Sequence, residues 1–253
     1  MTDLDFSSPL EGEGKGGGSE RFIHALALGL DPAWRRLSEP ERCEGAMAFC
    51  QAVERAQRVT TFTYSMIGLQ PGTDLLLWRL AGSLDDLEEA AAAALRAGLG
   101  SHLNVTESLL GIIQPSQYVK KPTVQEQSLF TGERSRYLIV YPFTKSTEWF
   151  LLSQAARQGI MNEHMRVGHE YAQVRQLLAY SFGIDDQDFL VAYETDDLVA
   201  FSNLVRDLRG TESRRSTVRD TPILTCVHRP LQEILAMLGA STGDSPLRTG
   251  GCA

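Results

Sequence analysis

The spacing of hydrophobic residues along the chain changes between two periods, and it does so in the same order twice. Stretches with the two-residue alternation of strands are separated by stretches with the spacing of about 3.6 residues that marks amphipathic helices. In the first half this pattern predicts strands at 22–30, 59–67, 74–80 and 105–113, and helices at 39–57 and 84–97. In the second half it predicts strands at 137–143, 177–182, 189–193 and 223–227, and helices at 153–174, 198–214 and 231–238.

Each half therefore has the order β-α-β-β-α-β of a ferredoxin-like unit. We predict an α+β fold, a tandem ferredoxin-like repeat of the dimeric α+β barrel type, in which two antiparallel sheets face each other with helices outside. The predicted segments are a disordered lead at 1–20, an N-terminal domain at 21–115, a linker at 116–135, a C-terminal domain at 136–240 and a flexible tail at 241–253.

Composition and charge restrict the possible functions. A length of 253 residues fits two domains, and a net charge of -8 argues against nucleic acid as a partner. An anionic ligand would therefore have to be held by a few local cations. The sequence contains no apolar run of about 18 residues and no basic, apolar leader, so we expect no membrane span and a cytoplasmic location with free thiols.

A single histidine lies on the apolar face of the predicted helix 153–174. The residues on that face are Ile160, Met161, His164, Val167, Gly168 and Tyr171. Spacing alone favours a core histidine whose nitrogens are satisfied, and the alternative is an axial haem ligand. His169 is predicted to lie on a different, exposed face.

Three other groups of polar residues are ambiguous on their own. Tyr141, Phe143 and Lys145 share one face of a strand, which is either a solvated surface or the wall of a pocket for a carboxylate-bearing ligand. Gln176 is either a surface amide or a pocket donor. The arginines around Arg209 and Arg214 are typical of a solvated helix end.

Taken together, these motifs resemble the chlorite dismutase superfamily, which includes chlorite dismutases and coproheme decarboxylases. The resemblance covers nearly all of residues 20–240. Its motifs are Tyr141-Pro142-Phe143-Thr144-Lys145, Glu148-Trp149, Met161-Asn162-Glu163-His164, Val167-Gly168, Tyr171, Ser181-Phe182-Gly183-Ile184-Asp185-Asp186, Glu194-Thr195-Asp196-Asp197, Leu208-Arg209-Gly210-Thr211-Glu212 and Asp220-Thr221-Pro222.

The resemblance implies one haem or coproheme per chain, bound in the C-terminal half of a homo-oligomer that is often a pentamer. It makes His164 the proximal iron ligand and Glu212 the carboxylate that hydrogen-bonds the proximal imidazole. Trp149 and Phe143 are the implied aromatic residues of the haem pocket.

The residue on the opposite, distal side of the iron separates the subfamilies. Chlorite dismutases carry an arginine there, and one large bacterial group of coproheme decarboxylases carries a glutamine. The matching position in this chain is Gln176, with Arg175 as the alternative if the register differs by one residue. The same decarboxylases have a tyrosine and a lysine at the positions of Tyr141 and Lys145.

The resemblance therefore implies a peroxide-dependent coproheme decarboxylase that turns two propionates into vinyl groups and yields haem b. Tyr141 would supply a radical, Lys145 would pair with the reacting propionate, and Arg209 would pair with a propionate that is retained. Two alternatives stay open, a chlorite dismutase and a haem-binding or sensing protein without turnover.

Overall fold

Nine strands and six α-helices make up the described part of the chain, which is residues 22–114, 118 and 134–240 of a computed structural model. The strands are β1 Phe22–Leu30, β2 Val59–Gln70, β3 Thr73–Ala81, β4 Leu103–Ile112, β5 Tyr137–Lys145, β6 Arg175–Tyr180, β7 Phe189–Thr195, β8 Thr217–Arg219 and β9 Leu224–His228. The α-helices are α1 Glu39–Arg55, α2 Leu84–Arg96, α3 Thr147–Leu151, α4 Gln154–His169, α5 Leu198–Leu208 and α6 Leu231–Met237.

Three short 3-10 helices complete the structure, at Pro32–Arg36, Gly98–His102 and Glu212–Ser216. The predicted lead and tail, and most of the predicted linker, lie outside the described residues. In the ranges that are described, every helix is too short or too polar to cross a membrane.

Eight of the strands form one closed antiparallel barrel. Their order is β7-β6-β4-β1-β3-β2-β9-β5, and pairing of β5 with β7 closes the ring, while β8 extends from β5. The two halves join where β2 pairs with β9 and where β4 meets β6 at Ile112 and Tyr180. The predicted α+β class is confirmed, but the strands make a single closed sheet and not two separate facing sheets. The description as a tandem ferredoxin-like repeat stays a prediction.

The interior of the barrel is packed with apolar side chains from both halves. Successive residues of a strand point to opposite faces, so alternate positions of each strand enter this core. It contains Ile23, Ala25, Ala27, Tyr64, Met66, Leu76, Trp78, Leu80, Leu109, Leu138, Val140, Leu177, Ala179, Leu190, Ala192, Leu224 and Cys226. The barrel is therefore filled by its own side chains, as small barrels of eight strands are.

The outer faces of the two halves are packed differently. In the N-terminal half, Leu28 and Leu77 pack with Trp34, Phe49 and Leu235 into a second core under α1, α2 and α6. In the C-terminal half α5 contributes buried residues to a smaller cluster, whereas α4 has none that are buried. A space therefore remains between α4 and the sheet.

Two helices of the C-terminal half end earlier than the sequence predicts. Helix α4 stops at His169 and not at residue 174, because the chain must turn before Arg175 begins β6 opposite Glu194. Helix α5 stops at Leu208 and not at residue 214, and the Thr211 hydroxyl donates a hydrogen bond to the Leu208 carbonyl. The following segment is the 3-10 helix Glu212–Ser216.

A buried carboxylate on β7 links this strand to its neighbour β6 and, across the barrel interior, to β2. Glu194 is fully buried and accepts hydrogen bonds from the Tyr64 hydroxyl and from Arg175, both at 2.8 Å. Arg134 lies 3.5 Å from the same carboxylate. The position of Arg175 follows from strand alternation, since Leu177 and Ala179 on the same strand also point into the barrel.

We predict that Glu194→Ala will strongly destabilise the fold, because it leaves two guanidinium groups without their buried counter-charge. The expected loss of unfolding free energy is about 3–5 kcal/mol, measured by denaturant unfolding. The matched control is Glu233→Ala, which removes a surface partner of Arg229 and should change stability by less than about 1 kcal/mol. Equal effects of the two substitutions would contradict this account.

Candidate cofactor site

A cavity of about 730 Å³ lies between the outer face of strands β5, β6 and β7 and the helices that cover them. Its size falls within the range of about 300–1,000 Å³ that small-molecule and cofactor sites occupy. Seven of the eight predicted site residues line it: Tyr141, Phe143, Lys145, Trp149, His164, Gln176 and Arg209. The eighth, Glu212, does not.

The sheet side of the cavity carries the predicted tyrosine, lysine and glutamine. Tyr141, Phe143 and Lys145 alternate along β5 and so share its outer face. Gln176 lines the cavity from β6, and Tyr193 lines it from β7. The solvated surface that was the alternative for this face is therefore not what the structure shows.

The helical side is formed mainly by one face of α4. Arg157, Met161, His164 and Gly168 follow one another at intervals of three or four residues, and together with Met165 they line the cavity. His169 is exposed, as predicted, and its position at the end of α4 also brings it to the cavity.

The position and the neutral state of the His164 imidazole suit a metal ligand. Its Nδ1 lies 3.0 Å from the Ser213 hydroxyl. Burial is the main factor that lowers the pKa of His164 to about 4, and the positive charge of Lys145 acts in the same direction against Glu163. The ring is therefore neutral at pH 7, and Nε2 has no hydrogen bond to any described residue. A neutral imidazole nitrogen can bind iron.

Lys145 is held near His164 by the chain segment that follows α5. Its Nζ donates a hydrogen bond of 2.8 Å to the Ser213 carbonyl and lies 4.4 Å from the centre of the Trp149 ring. Burial, followed by the charge of Arg214, lowers the pKa of Lys145 from 10.5 to about 8. A carboxylate entering the cavity would stabilise the charged amine and raise the pKa of Lys145 again.

The phenol of Tyr141 is buried beside a second tyrosine. The rings of Tyr141 and Tyr193 are stacked with their centres 6.1 Å apart. Burial raises the pKa of Tyr141 well above its ordinary value, and Tyr193 and Asp220 add to the shift while Arg209 opposes it. The hydroxyl of Tyr141 therefore keeps its proton at neutral pH.

Among the described residues, three guanidinium groups line the cavity, and they differ in their partners. Arg214 and Arg209 lie 2.5 Å and 3.8 Å from Asp220, so one carboxylate partly balances both charges. The buried Nε of Arg157 has no hydrogen-bond partner among the described residues. Arg157 is not among the predicted site residues, although its position seven residues before His164 on the same helical face was a usable signal.

The predicted hydrogen bond between Glu212 and His164 was wrong. Because α5 ends at Leu208, the chain enters a 3-10 helix whose first residue, Glu212, points outward. The Glu212 side chain is 53% exposed and lies 3.3 Å from Arg215. The next residue, Ser213, is buried and contacts His164 instead. A serine between charged residues carries no sequence signal for this role.

The neighbours Arg175 and Gln176 point to opposite sides of the sheet. Gln176 lines the cavity, whereas the Arg175 side chain bonds to Glu194 and Ser135, both at 2.8 Å. Strand alternation and the buried Glu194 carboxylate both favour this register. Of the two alternatives from the sequence, Gln176 and Arg175, it is Gln176 that lines the cavity.

With this geometry in place, comparison with known proteins identifies the class. A family profile described as "Chlorite dismutase" matches residues 42–229. The chain therefore belongs to the chlorite dismutase family.

Individual relatives fall on both branches of the resemblance. A coproheme decarboxylase of Mycolicibacterium smegmatis is 28% identical over 220 residues, which are 86% of this chain and 94% of the relative. A mutant chlorite dismutase of Candidatus Nitrospira defluvii, with an arginine changed to glutamate, is 30% identical with a TM-score of 0.79, covering 88% of this chain and 96% of that one. The enzyme from the same organism in complex with imidazole has the same identity and TM-score and covers 87% and 95%.

The pKa of Lys145 gives a prediction that needs no ligand. Because Lys145 is charged below about pH 8 and neutral above it, its acylation rate should rise with a midpoint near pH 8. An ordinary lysine has its midpoint near about 10.4. The measurement is trace acetylation across pH, read by peptide mass spectrometry.

The matched variant for this experiment is Arg214→Gln, which removes one of the two causes of the shift. We expect the Lys145 midpoint to move upward in that variant. A midpoint near 10 in the unmodified protein would contradict the burial of the amine.

Proposed function

We propose that this protein is a peroxide-dependent coproheme decarboxylase that converts two propionates of coproheme to vinyl groups and produces haem b. The observation that carries the proposal is that Gln176 lines the cavity while Arg175 is bound to the buried Glu194. The cavity thus presents an amide at the position where the resemblance gives chlorite dismutases an arginine. The similarity to a coproheme decarboxylase over 94% of that enzyme's length supports the same branch.

The residues of the cavity fit an iron porphyrin. Its walls are largely apolar and aromatic, with Phe143 and Trp149 on one side and Met161 on α4. His164 offers a neutral imidazole nitrogen, and the buried Arg157 Nε lacks a partner of its own. When bound, the iron would supply the redox chemistry by which peroxide becomes an oxidant.

The cations around the cavity match the negative charge of the substrate. Coproheme carries four propionates, and an apolar cavity needs charged donors to hold them. In the proposal Lys145 pairs with the reacting propionate and Arg209 with one that is retained. Arg157 lies two helical turns, about 10 Å, from His164 along α4. A guanidinium at that distance would suit a propionate at the edge of a porphyrin whose iron is held by His164.

The overall reaction balances with one peroxide for each propionate. The side chain –CH2–CH2–CO2⁻, with one H2O2 and one H⁺, gives –CH=CH2, CO2 and two H2O. The β-carbon loses one hydrogen atom and the C–CO2 bond breaks, so two electrons pass from substrate to peroxide. Tyr141 would give up an electron and its proton and then regain a hydrogen atom from the β-carbon. The second electron would leave that carbon as the C–CO2 bond breaks and would go to the remaining oxidising equivalent that peroxide supplied, and a second round would act on the second propionate.

The neighbouring residues prepare Tyr141 for this role. Its raised pKa keeps the hydrogen on the phenol until an electron is removed, and the stacked Tyr193 is a hydrogen-bonding neighbour for the hydroxyl. Lys145 on the same face of β5 would hold the propionate beside the phenol. Positioning of this kind is a large part of rate enhancement in enzymes.

A chlorite dismutase is the second candidate, favoured by solved chlorite dismutases with 30% identity. By the resemblance, that function goes with an arginine on the distal side of the iron. In this chain such a group would have to come from Arg175, at the cost of leaving the buried Glu194 without one of its partners.

The direct test is to incubate the protein with coproheme and hydrogen peroxide and to follow the porphyrin by mass spectrometry. Stepwise loss of two carboxyl groups is the expected result. Oxygen release from chlorite without decarboxylation would assign the second candidate. Binding of the porphyrin with neither reaction would assign a haem-binding or sensing protein.

Tyr141→Phe should abolish decarboxylation, by at least about 100-fold in rate, because phenylalanine cannot supply the hydrogen-accepting radical. Porphyrin affinity should stay within a few fold, as the ring is retained. The matched control is Tyr137→Phe on the same face of β5, which lies outside the cavity lining and should keep its activity. Retained activity in the Tyr141 variant would contradict the radical role.

Arg157→Leu should weaken coproheme binding by about 10- to 100-fold, the value of one charge-assisted hydrogen bond of about 1.5–3 kcal/mol. The measurement is titration of the porphyrin absorbance at fixed pH. The control is Arg166→Leu on the same helix, where the side chain is exposed and pairs with Glu170. Unchanged affinity in the Arg157 variant would remove this residue from the site.

A further inference from the structure

We propose that Ser213 and Thr211 form a hydroxyl relay that fixes the tautomer of His164, with the proton on Nδ1 and a bare Nε2. The inference rests on the proposed function for the identity of the bound metal, but the tautomer itself is a property of the free protein. Ser213 acts through His164 and is therefore a positioning residue. Its role replaces the one that the sequence assigned to Glu212.

The direction of each hydrogen bond follows from the end of the relay. The Leu208 carbonyl can only accept, so the Thr211 hydroxyl donates its single proton across the 2.7 Å contact. Thr211 can then only accept from Ser213, whose hydroxyl oxygen is 3.1 Å away. The Ser213 proton is thereby used, and its oxygen accepts from the Nδ1–H of His164 at 3.0 Å.

The opposite arrangement is less favourable. If Ser213 donated to Nδ1, the oxygens of Ser213 and Thr211 would face each other with lone pairs at 3.1 Å. Both side chains are buried, with residue exposures of 5% and 6%, so bulk water is not at hand to supply the missing proton. Polar groups left unpaired in such a place cost about 1–3 kcal/mol.

The relay is built into the backbone that follows α5. Helix α5 ends at Leu208 and frees its carbonyl, which the Thr211 hydroxyl caps. The Ser213 carbonyl accepts from Lys145, and the backbone N–H of Glu212 donates to the Glu163 carboxylate on α4 at 2.9 Å. These contacts fix the segment against the helix that carries His164.

The relay also sets how strongly His164 donates electrons. A hydroxyl acceptor polarises the Nδ1–H bond less than a carboxylate does, so the imidazole has less anionic character. Iron bound to Nε2 should therefore have a higher reduction potential than it would with a carboxylate partner. With iron bound to His164, the reduction potential of the iron should therefore depend on Ser213 and not on Glu212.

The first experiment reads the tautomer in the full-length protein without porphyrin. Histidine labelled with ¹⁵N gives separate NMR signals for protonated and bare ring nitrogens, and His164→Gln identifies the His164 signals by their loss. We expect Nδ1–H with bare Nε2 at neutral pH. Ser213→Ala and Thr211→Val should each shift the population toward Nε2–H, the first by removing the acceptor and the second by freeing the Ser213 proton.

Two variants of the same 3-10 helix separate this relay from a general structural effect. Ser216→Ala lies outside the cavity lining and should leave the tautomer unchanged. Glu212→Gln should also leave it unchanged, since that carboxylate faces Arg215. A wild-type Nε2–H tautomer, or a shift caused by Glu212→Gln, would overturn the proposal. These results do not depend on whether coproheme is decarboxylated.

The second experiment measures the reduction potential of the iron in protein loaded with haem b. Ser213→Asp should lower the potential by placing a carboxylate next to Nδ1, while Glu212→Gln should not change it. If Glu212→Gln raises the potential and Ser213→Asp has no effect, the carboxylate is the true partner of His164 and the relay is excluded.

Discussion

The structure depends on how the outer face of the C-terminal half of the barrel is covered. The barrel interior is filled by side chains from all parts of the sheet, and the N-terminal outer face is filled by the core around Trp34 and Phe49. The side chains of α4 are at most partly buried, so this helix forms a wall and not a packed layer. Among the described residues this is where a large planar ligand can lie against protein on both sides.

The same strand alternation that fills the barrel also selects the chemistry of the cavity. Positions that point inward contribute to the core or, at Arg175 and Glu194, to a buried ion pair. Positions that point outward place Tyr141, Lys145 and Gln176 on the cavity wall. Moving Arg175 to the cavity would require breaking a contact that stabilises the fold. Fold stability and the identity of the residue that β6 presents to the cavity are therefore linked. Four cations of this acidic chain, Lys145, Arg157, Arg209 and Arg214, line the cavity.

The sequence predicted those parts of the site that depend on periodicity. Strand alternation grouped Tyr141 with Lys145, and helical spacing placed His164 on an inward face. It did not predict Ser213, because that contact depends on where α5 ends, and a helix end that varies by a few residues rotates the following segment. The sequence predicted a barrel type but not the joining of its strands into one sheet, since β4 and β6 meet through a long-range contact at Ile112 and Tyr180 that leaves no local pattern.

The central claim is that coproheme binds in this cavity through His164, with Gln176 and not Arg175 on the opposite side of the iron. A crystal structure of the protein with bound coproheme tests it most directly. We predict an iron bond to Nε2 of His164, the Gln176 side chain facing the iron, and Arg175 still bound to Glu194. Iron ligation by another residue, or an Arg175 guanidinium over the iron with its contact to Glu194 broken, would contradict the account.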